Sequence, residues 1–264
     1  MSKLLIVLGF HSGDAPQAEK FCDWCYYLSD QQKDVSVLLV SASDCHAEMQ
    51  TKIRLAAEVA FGSVELFVAP PTERVGKIEN TNHLFRSAVE YIASHYKDAW
   101  LWVEPDCVPI KSDWINQLSL AYNSQPKRFM GSYLKFNVRD EEKRCLARTS
   151  IYPPDAIRDL IHFCNGTVSF SAMAGETIVA RSTKSLLIQQ IQYDHEKDYN
   201  KIRENAVLLH SDKSGKLIKH YMDTAKPSEV IAAPVEAPAV IPEAAEPAAA
   251  IKPRKAPFIK RIFA

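Results

Sequence analysis

Through its first half the chain alternates between short apolar runs and stretches with apolar residues at helical spacing, and few architectures accept that pattern. Lys3 to Phe10 (KLLIVLGF), Val35 to Val40, Val64 to Val68 and Trp100 to Val103 are apolar runs of strand length. Between them, Asp14 to Ser29, Cys45 to Phe61 and Asn82 to Tyr96 read as helices. Met49, Ile53, Ala56 and Ala60 share one side of the second, and Leu84, Phe85, Ala88, Ile92 and Tyr96 one side of the third. Strands that are apolar at every position leave no face for water, so the pattern predicts a mainly parallel sheet covered by helices on both sides. Asp14 is placed to cap its helix, with Pro16 in the first turn. A helix follows Ser112-Asp113-Trp114 to about Tyr122. Beyond it, Phe129 to Phe136, Cys145 to Tyr152, Thr167 to Ser171, Thr177 to Ala180 and Val207 to Leu209 read as shorter strands.

Charge and cysteine content narrow the class little. The 32 basic and 32 acidic residues balance, so only local patches could attract a polyanion. The 264-residue chain can build a core without disulfide staples, so its six cysteines are expected as reduced thiols, Cys22 and Cys25 on a helix among them. No secretory pattern opens the chain and no apolar run approaches the ~20 residues of a membrane span, so a cytoplasmic protein is expected. The folded domain is expected over residues 1–222. Residues 223–252 are dominated by Ala, Pro, Val and Glu and read as a flexible, disordered linker. Residues 253–264 carry Arg254, Lys255, Lys260 and Arg261 beside Phe258, Ile259, Ile262 and Phe263. That basic amphipathic end suits docking to nucleic acid, a protein partner or an anionic membrane surface.

The stretch WLWVEPDCVPI, Trp100 to Ile110, drives an apolar strand into two carboxylates. In open α/β sheets the carboxyl ends of parallel strands form the ligand crevice. With Pro105 keeping the chain extended, Glu104 and Asp106 are expected to point the same way. Paired carboxylates there make an oxygen-rich site for Mg²⁺ or Mn²⁺, ions that bridge to phosphate oxygens. The alternative is a simple helix N-terminus, with Asp106 or Ser112 as its cap.

"LWVEPDCVPIKSDWINQL" resembles the metal-binding segment of GT-A glycosyltransferases, and most of all that of small phage-type enzymes with an E-P-D motif. "GFHSGDAPQAEKFCDWCYYL", "ENTNHLFRSAVEYI" and "VLLHSDKSGKLI" resemble the family's nucleotide loop, the helix before the metal strand and a late strand ending in His. The resemblance runs in order from about Lys3 to Ile218. It implies a GT-A-like mixed, mainly parallel sheet and transfer of a sugar from a nucleotide diphosphate sugar, a UDP-sugar being the expected donor. It also implies Asp106, Glu104 and His210 as metal ligands, with Mn²⁺ suited somewhat better than Mg²⁺ by the imidazole. Phe10, His11, Asp14, Asn82, Glu104, Lys213 and Lys216 would hold the nucleotide and its diphosphate. For a phage-type enzyme in host cytoplasm the acceptor would be a hydroxymethylated base in DNA, or a sugar on one; glycan, lipid and protein acceptors stay open. So do a nucleotidyltransferase and a non-catalytic nucleotide-sugar binding module tethered by its tail. An inverting reaction needs a general base, for which Asp194, Glu176 and Asp155 are candidates, Asp155 being also a helix-cap position; retaining chemistry is equally open. His162, His195 and His220 are expected on the surface, Asn165-Gly166 in a turn, and Trp24, Trp100 and Trp102 in the core.

Overall fold

A computed structural model describes residues 3–28, 32–73, 76–138, 141–164, 168–191 and 201–224. The elements run β1 (Leu5–Phe10), α1 (Ala15–Leu28), β2 (Ser36–Ser41), α2 (Ala47–Ala60), β3 (Ser63–Val68), α3 (Lys77–His95), β4 (Trp100–Val103) and β5 (Cys107–Pro109). They continue with α4 (Trp114–Asn123), β6 (Phe129–Val138), β7 (Glu141–Tyr152), α5 (Ile157–Leu160), α6 (Phe170–Val179), β8 (Ser182–Lys184), β9 (Ile188–Gln190), β10 (Leu208–His210) and α7 (Lys216–Thr224). Residues 1–226 form one compact unit.

A seven-stranded sheet has the order β3-β2-β1-β4-β7-β6-β8. Its first four strands are mutually parallel, and β7 pairs antiparallel with both β4 and β6. β1, β2 and β4 are buried on both faces by strict alternation, whereas β3, at the sheet edge, is half-buried to exposed and carries Glu65. Ile6, Leu8 and Phe10 of β1 pack with α1, α2 and α4, whereas Leu5 and Val7 pack with α3 and α6. The expected sheet with helices on both sides is therefore observed. Gly9 is required by close approach: a Cβ there would lie 2.4 Å from Trp102 Cη2.

Several local expectations are overturned. Residues 170–171 and 177–179 lie in α6 and not in strands, because Phe170, Ala174 and Ile178 recur at four-residue spacing and bury one side against β7. Gly175, with φ 34° and ψ −124°, kinks that helix. At α3 the start comes at Lys77, where the Gly76 N–H donates to Glu79 Oε2 at 2.9 Å, well before Asn82. The helix α7 extends through Asp223 and Thr224, which replaces the first two residues of the expected linker with ordered structure. Among the described residues no helix is long and apolar enough to cross a membrane. All six cysteines are free and buried.

A second, three-stranded sheet has the order β5-β10-β9. It packs under α1 and α7 through Trp24, Val108, Leu209, Leu217 and Ile218. This small sheet joins the segment after β4 to the end of the described chain.

Candidate functional site

A cleft of about 580 Å³ opens where β1, β2 and β4 end, within the ~300–1,000 Å³ range of small-molecule sites. Its walls come from the loop Gly9–Asp14, from Asp44 after β2, from Asn80 and Leu84 of α3, and from Trp102, Glu104 and Asp106. Arg148 of β7 and Lys213 complete it.

The two acids meet through a turn. Cys107 N–H donates to Glu104 O at 2.9 Å, which closes Glu104 to Cys107 with Pro105 at the second position. The expected extended chain is thus replaced by a bend, made by proline's fixed φ. β5 then pairs antiparallel with β10, setting Cys107 opposite His210. His210 Nε2 lies 2.7 Å from Glu104 Oε2 and 3.2 Å from Asp106 Oδ1. Arg148 Nη2 lies 2.7 Å from Glu104 Oε1, and Lys213 Nζ is paired with Asp106 Oδ2. The three residues expected around a cation are therefore together. Cys107 joins them, since ligand-capable atoms of Asp106, Cys107 and His210 all lie within 4.8 Å of one another.

Burial alone would push the Glu104 carboxyl up, but Arg148 and His210 more than offset it and leave its pKa at about 2. Burial likewise opposes ionisation of Asp106, and His210 and Lys213 outweigh it, holding that carboxyl well below its usual range. For His210 burial works against the charged ring, yet Asp106 and Glu104 raise its pKa to about 9. The site is a buried cluster of charges of both signs. Glu104 Oε2 and both Asp106 oxygens make no well-aligned hydrogen bond and meet only cationic partners. Two carboxylates and an imidazole in that state fit a divalent cation by donor chemistry.

Elsewhere in the cleft lining, His11 Nε2, Asn80 Oδ1 and Trp102 Nε1 are buried without hydrogen-bond partners among the described residues. Buried polar atoms are normally paired, so these mark where a polar ligand would be held. Asp14 lines the cleft, but its Oδ1 accepts the His11 N–H at 2.6 Å and not an amide of α1. It shapes the loop and does not cap the helix with its side chain. Burial raises the Asp14 carboxyl, against the lowering effect of the His11 amide.

Other expected positions fall elsewhere. Phe10 is a fully buried core side chain, because its place in β1 faces α1 and not the cleft. Asn82 is buried in the second turn of α3; its Nδ2 donates to Val168 O at 2.8 Å and its Oδ1 accepts Phe170 N–H at 3.1 Å. It anchors the start of α6, and the cleft-facing asparagine is Asn80. Lys216, the first residue of α7, is exposed and outside the cleft lining. Glu176 is exposed on α6 near Lys143, also outside the lining. Asp155 pairs with Arg128 Nη2 at 2.7 Å in place of capping α5. Trp102 belongs both to the core and to the cleft wall. Asp194, His195, Asn165, Gly166 and residues 225–264 lie outside the described residues. Sequence reasoning missed Arg148, Asn80, Asp44, Cys107 and Gln190. Only Arg148 left a signal, a lone cation inside the strand-like run Cys145 to Tyr152.

No protein-family model and no curated protein matches the sequence. Solved structures do match in fold. The galactosyltransferase LgtC, solved in complex with donor and acceptor sugar analogs, aligns with TM-score 0.54 at 7% identity over 84% of this chain and 95% of its own. The bifunctional glycosyltransferase WbbM aligns with TM-score 0.52 at 9% identity over 79% of this chain, which spans only 45% of WbbM. Mouse xyloside xylosyltransferase 1 aligns with TM-score 0.52 at 7% identity, covering 81% and 99% of the two chains.

Proposed function

We propose that this chain, whose fold is that of the GT-A glycosyltransferases, is a cation-dependent glycosyltransferase that uses a nucleotide diphosphate sugar. The observation that carries the reading is the convergence of Glu104, Asp106 and His210 at the carboxyl end of β4, beside a cleft of ligand size. In this reading Asp106 and His210 hold the cation directly, and Glu104 supports them. A divalent cation, once bound, supplies Lewis-acid charge to the leaving diphosphate. Lys213 adds a point charge at the same place, since it already reaches the Asp106 carboxylate. Arg148 keeps Glu104 ionised and fixed. His11, Asn80 and Trp102 receive the polar edges of the nucleoside or sugar.

Mn²⁺ and a UDP-sugar are the first pair to test. The acceptor we put first is a hydroxymethylated base in DNA or a sugar on one. Its support is the resemblance of Leu101 to Leu118 to phage-type enzymes and the basic end of the sequence. The test is a screen of nucleotide sugars with Mn²⁺, scoring release of nucleoside diphosphate with modified DNA, glycan, lipid and protein acceptors. Asp106→Asn should abolish turnover, by at least ~10²-fold, while leaving circular dichroism and thermal unfolding cooperative. Full turnover by Asp106→Asn would sink the assignment.

A further inference from the structure

The His210 ring has two nitrogens, and only one of them faces the acids. Its Nδ1 lies 2.8 Å from Gln190 Oε1. Gln190 ends β9 and is the register partner of His210 across the parallel β9–β10 pair. An amide oxygen has only lone pairs to offer, so Nδ1 must bear the hydrogen and donate it. Ser211 Oγ donates to the same oxygen at 3.4 Å. The Gln190 Nε2 group, meanwhile, is buried with no partner among the described residues. The orientation of this amide is therefore set by His210 and Ser211, at the expense of its own NH₂ group. Turned the other way, the amide would present its NH₂ to Nδ1. The hydrogen would then sit on His210 Nε2, and the ring could only donate to Glu104 and Asp106.

We propose that Gln190 is a positioning residue for His210: by accepting the Nδ1 hydrogen it leaves the Nε2 lone pair as the one that would hold a divalent cation together with Asp106. The inference rests on the reading of this site as a cation site. Metal-binding histidines commonly donate their second ring N–H to a carbonyl or carboxylate, and loss of that partner weakens the metal ~10–100-fold.

The experiment uses the full chain. Mn²⁺ is titrated and free ion counted by its paramagnetic resonance signal, in wild type, Gln190→Leu and Gln190→Glu. Gln190→Leu should weaken Mn²⁺ by ~10–100-fold, and Gln190→Glu, which keeps an acceptor oxygen, should recover most of that loss. In ¹⁵N-histidine spectra of Zn²⁺-loaded wild type, His210 should show metal-bound Nε2 and hydrogen-bearing Nδ1. This readout stands even if the leucine variant does not fold. Metal on Nδ1, or Mn²⁺ affinity in a folded Gln190→Leu equal to wild type, overturns the role of Gln190 alone. Absence of Mn²⁺ binding in wild type overturns it together with the cation reading.

Discussion

Burial should drive the proton off the His210 imidazolium, yet two carboxylates within 3.2 Å keep it on. The consequence is a definite pH dependence for the cation-free protein. The ordinary value of 6.5 is raised to about 9 on folding. The folded state then binds a proton that the unfolded chain gives up, so this stabilisation is complete below about 6.5 and is lost as pH rises through about 9. Glu104 works in the opposite sense. Its depressed carboxyl stabilises above its ordinary 4.5, and that contribution falls away only as pH drops toward about 2. Urea unfolding from pH 6 to 10 without divalent ions should show wild-type stability declining across the His210 window, and His210→Gln should flatten that decline. An unchanged slope in the variant would mean that the imidazolium is not what binds the acids.

Elements decide how these residues come to meet, and at this scale the sequence was partly legible. The apolar runs of β1, β2 and β4 could be read because burial on both faces leaves almost no polar position, whereas the edge strand β3 carries Glu65 and has no fully buried residue. Glu104 and Asp106 could be read because they interrupt such a run. β5, β8 and β9 are only three residues long and carry no period to detect. Gln190 was accordingly invisible: its role comes from register with His210 and not from anything local to it. Asn82 misled because its neighbours resemble a helix start, whereas Gly76 and Glu79 form the real one upstream. The clamp it makes on α6 is itself testable. Asn82→Ala removes the partners of Val168 O and Phe170 N–H and should cost about 1–3 kcal/mol in chemical denaturation. Amide exchange should accelerate first at the start of α6. Equal protection there in the variant would argue against the clamp.

At the level of the whole molecule, the buried apolar residues among those described run from Leu4 to Ile218. A chain ended at Lys226 retains every one of them, and it should unfold at the same temperature as the full protein in calorimetry; a lower midpoint would assign the last residues a share in stability. The halves of the cleft have different origins along the chain. On the wall built from Gly9 to Trp102 the sequence marked His11 and Asp14, whereas Phe10 and Asn82 lie off it and Asn80 and Asp44 carried no signal. The charge cluster needs in addition Arg148, Gln190, His210 and Lys213, which the small sheet and β7 deliver from far downstream. Chains emerge from the ribosome amino end first, and distant pairings close slowly. β10 is the middle strand of the small sheet, between β9 just upstream and β5, which was synthesised long before it. A nascent chain halted before Val207 would thus hold Glu104, Asp106 and Arg148 without His210 and Lys213, so the charge cluster is complete only once translation has passed β10.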